Sequence, residues 1–420
     1  MSKKARQPIT PTSNHANSPN RSFHSLPPTS RRVIKQPRSL SNTQKSKLQN
    51  KYLRALQEDK RRKTHEFENK HIYRGPPHSS HRSLQANITE KVYPNKSIYK
   101  GQISSPGGLR EGKGIIRFAN GDVYFGDWAD DKFHGTGIYI FQNLERYEGE
   151  LFKGAKHGKG TYFYRNGSVY VGDWADNFKN GMGKFEYFLD EIKYIGEWKR
   201  GRKHGKGRII DKGEVEFTGV FVNGQKHGFG EIYFPKVDAR FEGLWTQDLA
   251  NGAGIMQLGG PSGAERYEGE YKNGLKAGSG RYSFSDGSVY EGTLSDDKVT
   301  GKGRLQYSNG DLYVGELKNG LRHGKGVYTT KKGDTYSGMY SDDLRHGEGV
   351  WRWSSGEIHE GMFKEGLPEG EGYHLFSNGD VYEGYWLDGF MHGKGRYKWA
   401  DGGQSVMAVW RYGVIHKVCS

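Results

Sequence analysis

From Tyr99 onward the chain repeats itself about every 23 residues, and this period limits the possible folds more than any other feature. Each unit opens with an aromatic residue, a spacer, a glycine, a spacer and an apolar residue. Examples are Tyr147-Glu148-Gly149-Glu150-Leu151, Tyr170-Val171-Gly172-Asp173-Trp174 and Tyr194-Ile195-Gly196-Glu197-Trp198. A Gly-x-Gly step and alternating aromatics follow, as in Gly158-Lys159-Gly160-Thr161-Tyr162-Phe163-Tyr164. The first-half glycine stands at 101, 126, 149, 172, 196, 219, 243, 269, 292, 315, 338, 361 and 384, and the second-half pair starts at 112, 135, 158, 181, 205, 228, 252, 278, 301, 324, 347, 370 and 393. Thirteen units therefore pair without a gap.

The pattern predicts strands. Residues i, i+2 and i+4 of a strand share a side, so Tyr170, Gly172 and Trp174 fall on one face and Val171 and Asp173 on the other. The return strand keeps the rule with Gly181, Gly183, Phe185 and Tyr187. A helix would scatter these residues around its circumference. Glycine weakens an isolated strand, but a ring from a neighbouring strand can lie flat over the bare backbone. Asn120-Gly121, Asn166-Gly167, Asp286-Gly287, Asn309-Gly310, Asn378-Gly379 and Asp401-Gly402 stand between units, where they suit two-residue hairpin turns needing positive φ. The expected fold is all-β: an elongated, twisted, single-layer antiparallel sheet of tandem hairpins.

Composition agrees. Only 33% of the residues are hydrophobic, mean hydropathy is −0.89, and glycine accounts for 63 of 420. That is too little apolar material for a thick core, and repeat architectures manage by burying surface between neighbours. The single cysteine, Cys419, excludes an intramolecular disulfide framework and favours a reducing compartment. No apolar run approaches a membrane span and no signal-peptide pattern is expected, so the reading is cytoplasmic.

Charge is unevenly placed. Residues 1–90 hold 19 Lys and Arg against 5 Asp and Glu, leaving 45 against 43 for the remainder. The near-neutral repeat body offers no nucleic-acid-binding face. Residues 1–90 read as a basic, disordered tail. Within it a helix is expected near 43–69, with Leu48, Tyr52, Ala55 and Leu56 on one side. Residues 91–402 carry the thirteen repeats, and 403–420, including Val406-Met407-Ala408-Val409-Trp410, read as a degenerate C-terminal cap.

These units resemble the MORN (membrane occupation and recognition nexus) repeats across about residues 99–402. Departures are local: unit 1 is stretched by Ser104 to Gly108, unit 4 closes on Asp190-Glu191, unit 7 carries an insertion around Gly259 to Ala264, and unit 12 has His359 in place of the leading aromatic. The resemblance implies scaffolding. Such arrays occur in radial spokes and other ciliary structures, in cortical cytoskeleton, in membrane tethers, and beside catalytic domains. The expectation is a non-catalytic scaffold of a cilium, flagellar axoneme or cortical cytoskeleton, with a membrane-tethering adaptor contacting phosphoinositides or phosphatidic acid as the alternative.

Candidate sites divide accordingly. The histidines before the second glycine pair (His134, His157, His204, His227, His323, His346 and His392) suggest metal binding, but equivalent atoms in adjacent units lie about 9–10 Å apart, too far for one ion. Stretches such as Gly205-Lys206-Gly207 lack the following helix of a phosphate loop. Glu148, Glu150, Asp173 and Glu197 read as cross-strand pairing residues, and no catalytic residue, cofactor or metal is expected. An uncovered aromatic face is the best candidate for binding a partner helix, with Trp128, Trp174, Trp198, Trp245, Tyr271, Tyr340 and Trp386 as anchors and the chain's own helix as a possible occupant. Lys60-Arg61-Arg62-Lys63 offers a basic contact for acidic tubulin tails, anionic lipid or an import receptor. Pairing with another MORN protein, or with a second copy, completes the expected partners.

Overall fold

A computed structural model describes residues 42–73, 88–259, 264–402 and 405–419. Among these residues it is all-β apart from one helix near the N-terminus and a 3-10 turn at Pro235–Val237, with 29 antiparallel strands that follow one another in chain order as tandem hairpins. The expected disorder of residues 1–41 and 74–87 lies outside the described residues. The chain divides into two bodies, one ending at Leu249 and the other running from Ala250, each described here by itself.

In the first body, helix α1 (Asn42–Phe67) continues as a short π-helical turn to Tyr73. Strands β1 (Ile88–Val92) to β14 (Ala239–Thr246) then form a meander. The glycines of each unit meet across the sheet: Gly126 opposite Gly137, Gly149 opposite Gly160, Gly172 opposite Gly183 and Gly196 opposite Gly207. The leading ring lies over the pair. A β-carbon on Gly183 would stand 2.5 Å from Cε2 of Tyr170, and one on Gly149 would stand 2.5 Å from the Gly160 Cα. Only glycine fits both strands at that crossing. The tyrosine hydroxyl then donates to the carbonyl three residues on, as Tyr170 does to Asp173 (2.9 Å) and Tyr194 to Glu197 (2.8 Å). Burial raises these phenols well above their ordinary range.

The second body, from Ala250 in β15 (Leu249–Leu258) to β29 (Val414–Val418), repeats the scheme with Gly269 opposite Gly280 and Gly315 opposite Gly326. Its last hairpin, β28 (Ser405–Arg411) with β29, sets Val406, Ala408 and Trp410 where earlier units have tyrosine, glycine and tryptophan. Val406 has no ring to lie over the backbone, so alanine is tolerated at 408.

The turns differ from expectation. Two-residue turns with both central residues at positive φ occur within units, at Asp130-Asp131 (47° and 65°), Lys153-Gly154 (51° and 90°) and Asp176-Asn177 (48° and 70°). At the Asn-Gly sites between units only the glycine has positive φ, 91° at Gly121 and 89° at Gly167. There Gly167 N–H donates to Tyr164 O (3.0 Å), and Ser168 N–H to Asn166 Oδ1 (3.0 Å). These are three-residue loops closed by a left-handed glycine, a geometry that uses asparagine as a side-chain acceptor rather than as a second positive-φ residue.

Candidate functional site

The aromatic layer is closed, not open. All seven expected anchors are buried, from 1% exposed at Trp386 to 7% at Trp245. This corrects the uncovered aromatic face, and the cause is mutual packing. In the first body each tryptophan stands edge-on between the leading rings of two consecutive units, tyrosines at Trp128, Trp174 and Trp198 and phenylalanines at Trp245. Trp174 lies 5.4 Å from Tyr147 and 5.2 Å from Tyr170, and Trp198 lies 5.3 Å from Tyr170 and 5.2 Å from Tyr194. Edge-to-face contact puts positive ring edges on negative faces. The indoles also donate to glycine carbonyls, Trp128 to Gly114 (3.3 Å), Trp174 to Gly160 (3.2 Å) and Trp245 to Gly230 (3.0 Å). In the second body Tyr271, Tyr340 and Trp386 take the equivalent places against Tyr267, Tyr336 and Tyr382.

A second set of residues, missed in the sequence, finishes the closure. Where the residue two before a Gly-x-Gly step is basic, it lies over the rings. Arg110 sits 4.1 Å above Trp128, Lys179 4.3 Å above Trp198, Lys226 4.9 Å above Trp245 and Arg345 4.0 Å above Trp351. The basic stem covers apolar surface while the charge sits on the ring faces. Burial lowers the ammonium pKa values, that of Lys179 to about 8. The signal was available: the position reads Lys156, Lys179, Lys203 and Lys226 in four successive units.

The carboxylates have structural work. Asp127 Oδ2 accepts the Thr136 N–H (2.9 Å), Glu150 the Lys159 N–H (2.9 Å), Asp173 the Met182 N–H (2.8 Å) and Glu197 the Lys206 N–H (2.8 Å). Each satisfies the residue inside the following Gly-x-Gly step, next to the bulge that the hairpin makes there. Among the described residues no group of three or more His, Cys, Asp or Glu can hold a metal ion. His359 and its cross-strand neighbour His374 are buried beside Trp386, with both ring nitrogens of each unpartnered. Burial lowers the pKa of His359 to about 3, with His374 and Arg345 adding to the effect, and burial alone lowers that of His374 to about 4.

The opposite face of the first body holds the clearest binding event. Helix α1 lies across β3 (Arg110–Arg117) to β6 (Arg146–Phe152) and reaches the end of β9 (Phe178–Tyr187). Phe67 packs 5.0 Å from Phe125, over a cluster of Ile115, Val123, Phe125 and Ile140. Tyr52 stacks 5.7 Å from Phe188, and Leu56 is buried. These sheet residues alternate with Tyr124 and Tyr147, so α1 docks on the face away from the aromatic layer. The helix, one possible occupant of the aromatic groove, therefore lies on the other face. The aromatic layer seals itself, whereas four aliphatic and aromatic residues converge on the other side of β3 to β6.

Ion pairs fix the register of α1. Glu68 meets Arg117 at 2.8 Å, Asp59 meets the buried Arg146, and Lys63 meets Glu148, whose Oε1 is also 2.6 Å from Arg146 Nε. Arg146 stacks 4.1 Å from Phe163. Asp59 is held below the usual carboxylate range because Arg62, Arg146 and Lys63 together outweigh its burial. The basic cluster is therefore split: Lys60 donates to Gly121 O (2.9 Å) and Lys63 is paired to the sheet, while Arg61 and Arg62 are exposed. Ala55, expected on the buried side, is exposed, and the side chain of Leu48 lies outside the described residues.

No curated protein matches this sequence. Among solved structures, the TCP domain of SAS-4 (dCPAP) of Drosophila melanogaster, in complex with a proline-rich motif of Ana2, aligns at 11% identity over 64% of this chain and 99% of that one, with a TM-score of 0.15. The G-box domain of the microcephaly protein CPAP aligns at 11% over 60% and 92%, TM-score 0.13, and virginiamycin B lyase from Staphylococcus aureus at 10% over 74% and 90%, TM-score 0.12. The MORN repeat model, by contrast, matches twelve spans: 107–123, 124–146, 147–169, 170–188, 194–212, 217–236, 267–289, 290–312, 313–335, 336–358, 359–381 and 382–404. These spans take up more than half of the sequence and coincide with the hairpins whose glycine pairs and tyrosines were described above, and so the chain belongs to the MORN repeat family.

Proposed function

We propose that this protein is a non-catalytic scaffold that binds other proteins across the strands of its sheet, in a cilium, flagellar axoneme or cortical cytoskeleton. The observation that carries the binding role is α1. A 26-residue helix laid over β3 to β9, held by apolar contacts and paired charges, is the chemistry by which an amphipathic partner helix is recognised. A helix rises about 1.5 Å per residue and strands lie about 4.8 Å apart, so each strand crossed answers to about three helical residues. The cytoskeletal setting is carried over from what MORN arrays do in other proteins.

A membrane-tethering role is the second reading. It is favoured by the outward Arg61 and Arg62 and by the basic excess of residues 1–90. Fractionation of the tagged full chain separates the two. Retention with detergent-extracted axonemes or cytoskeleton supports the scaffold. Release by detergent, together with salt-sensitive sedimentation on phosphoinositide or phosphatidic acid vesicles, would replace it with the tether.

A further inference from the structure

We propose that the aromatic side of the first body docks an acidic α-helix of a partner protein, with Asp or Glu at every seventh position, along the row Lys156, Lys179, Lys203 and Lys226. The inference rests on the protein-binding reading above and names the partner's chemistry.

The row is built by the fold. The four lysines hold one position in four consecutive units, two residues before Gly158, Gly181, Gly205 and Gly228. Each lies over rings of the closed layer: Lys156 at 4.7 Å from Tyr162, Lys179 at 4.6 Å from Phe185, Lys203 at 5.6 Å from Phe221 and Lys226 at 5.1 Å from Phe217. All four side chains are half-buried, and none is paired with a carboxylate among the described residues. Ring faces offset part of the desolvation of an ammonium but do not neutralise it. Burial lowers the pKa of all four, and for Lys179 it is the whole cause. Glu145 near Lys156, and Asp248 near both Lys203 and Lys226, offset part of that burial without forming an ion pair, and Lys179 has no such carboxylate. An incoming carboxylate would supply the direct counter-charge, most of all at Lys179. The row ends at Phe133, the uncharged residue at the same place in the unit before Lys156.

Geometry selects the backbone of the ligand. Successive lysines are two strands apart, about 9.6 Å. Seven helical residues rise about 10.5 Å and complete nearly two turns, returning to the same face. An extended strand has same-face residues about 6.6 or 13.2 Å apart, so it would miss alternate lysines. Four contacts ask for a helix of about 22 residues. The other side of this body already accepts a helix crossing its strands in α1. A polyproline helix also repeats near 9.3 Å, and the experiment is arranged to separate it.

The full chain is titrated, by fluorescence anisotropy at 50 and 300 mM salt, with a 28-residue helical peptide carrying glutamate every seventh residue. Controls are the same composition with glutamates spread around the helix, a polyproline peptide with glutamate every third residue, and phosphatidylserine vesicles. The heptad peptide should bind at least tenfold tighter than either peptide control, more weakly at high salt. Lys179→Gln with Lys203→Gln should weaken it at least tenfold, and the corresponding pair of arginine substitutions should restore it. On the unaltered chain, bound peptide should slow amine acetylation of Lys179 and Lys203 relative to Lys184, which settles the matter even if the glutamine variant fails to fold. Equal binding of the two helical peptides, tighter binding of the polyproline peptide, binding of vesicles alone, or unprotected lysines would overturn the proposal. Loss of the peptide interaction with cytoskeletal retention intact removes this helix and leaves the scaffold. The reverse outcome removes the scaffold's setting and leaves the docking row.

Discussion

Phe125, Val171, Ile195 and Val314 hold the same place in their units, one residue after the leading tyrosine, and all face away from the aromatic layer. Phe125, beneath α1, is 3% exposed; Val171, Ile195 and Val314 are 50%, 42% and 46% exposed. The tyrosine-glycine code thus satisfies one side of the sheet in every unit and leaves the other side free to be written locally. Where Ile115, Val123, Phe125 and Ile140 converge, the free side holds a helix. Elsewhere single apolar residues sit among charges and stay in water.

The comparison is most severely tested on the coded side. Gly149→Ala would put a β-carbon 2.5 Å from both the Gly160 Cα and the Lys159 carbonyl oxygen, backbone that cannot move aside. A loss of more than about 3 kcal/mol in urea unfolding is expected, against less than about 0.5 kcal/mol for Val171→Ala. Similar effects from the two would break the distinction between the faces.

Next in size is Phe125→Ala, expected to cost about 3 kcal/mol and to release α1, raising amide exchange along 46–67. Unchanged protection of the helix would mean that its ion pairs alone hold it.

The irregular unit sharpens the contrast further. His359 and His374 are neutral when folded, with pKa values of about 3 and about 4 against about 6.5 unfolded. Above pH 6.5 they cost nothing through protonation. As the pH falls below that, the unfolded chain gains protons that the folded one refuses, and stability drains until the folded values are reached. At pH 5 this amounts to roughly 2 kcal/mol per histidine. His359→Tyr restores the residue found at Tyr336 and Tyr382 and should halve the slope between pH 6.5 and 4 in thermal melts. An unaltered slope would place the acid sensitivity elsewhere.

The smallest effect concerns the rim of the helix contact. Glu68→Gln breaks the partly exposed pair with Arg117 and should cost under about 1 kcal/mol, vanishing in 1 M salt.

The hairpins, their facing and the presence of the helix were legible because each rests on local spacing: Tyr170, Gly172 and Trp174 are two apart, and Tyr52 and Leu56 four apart. The side chosen by α1 was not, because it depends on Ile115, Val123 and Ile140, which are far apart in the chain and become neighbours only through the sheet register. The closure of the aromatic layer was missed for a different reason. Lys156 and Lys179 look like surface charges, and only the stacking of Trp174 and Trp198 shows that their stems have rings to cover. The Asn-Gly dipeptides misled because asparagine serves two turn chemistries, and at Asn166 its side chain accepts Ser168 N–H.

A tryptophan shared by two tyrosines is a joint with the same fitting on either side, as at Trp174 and Trp198. Excising or duplicating one whole module inside such a run brings together ends that already match, whereas removing a single strand would turn every later ring to the wrong side. Genes for chains of this kind can therefore lengthen or shorten by recombination in steps of one module, and the product remains foldable after each step.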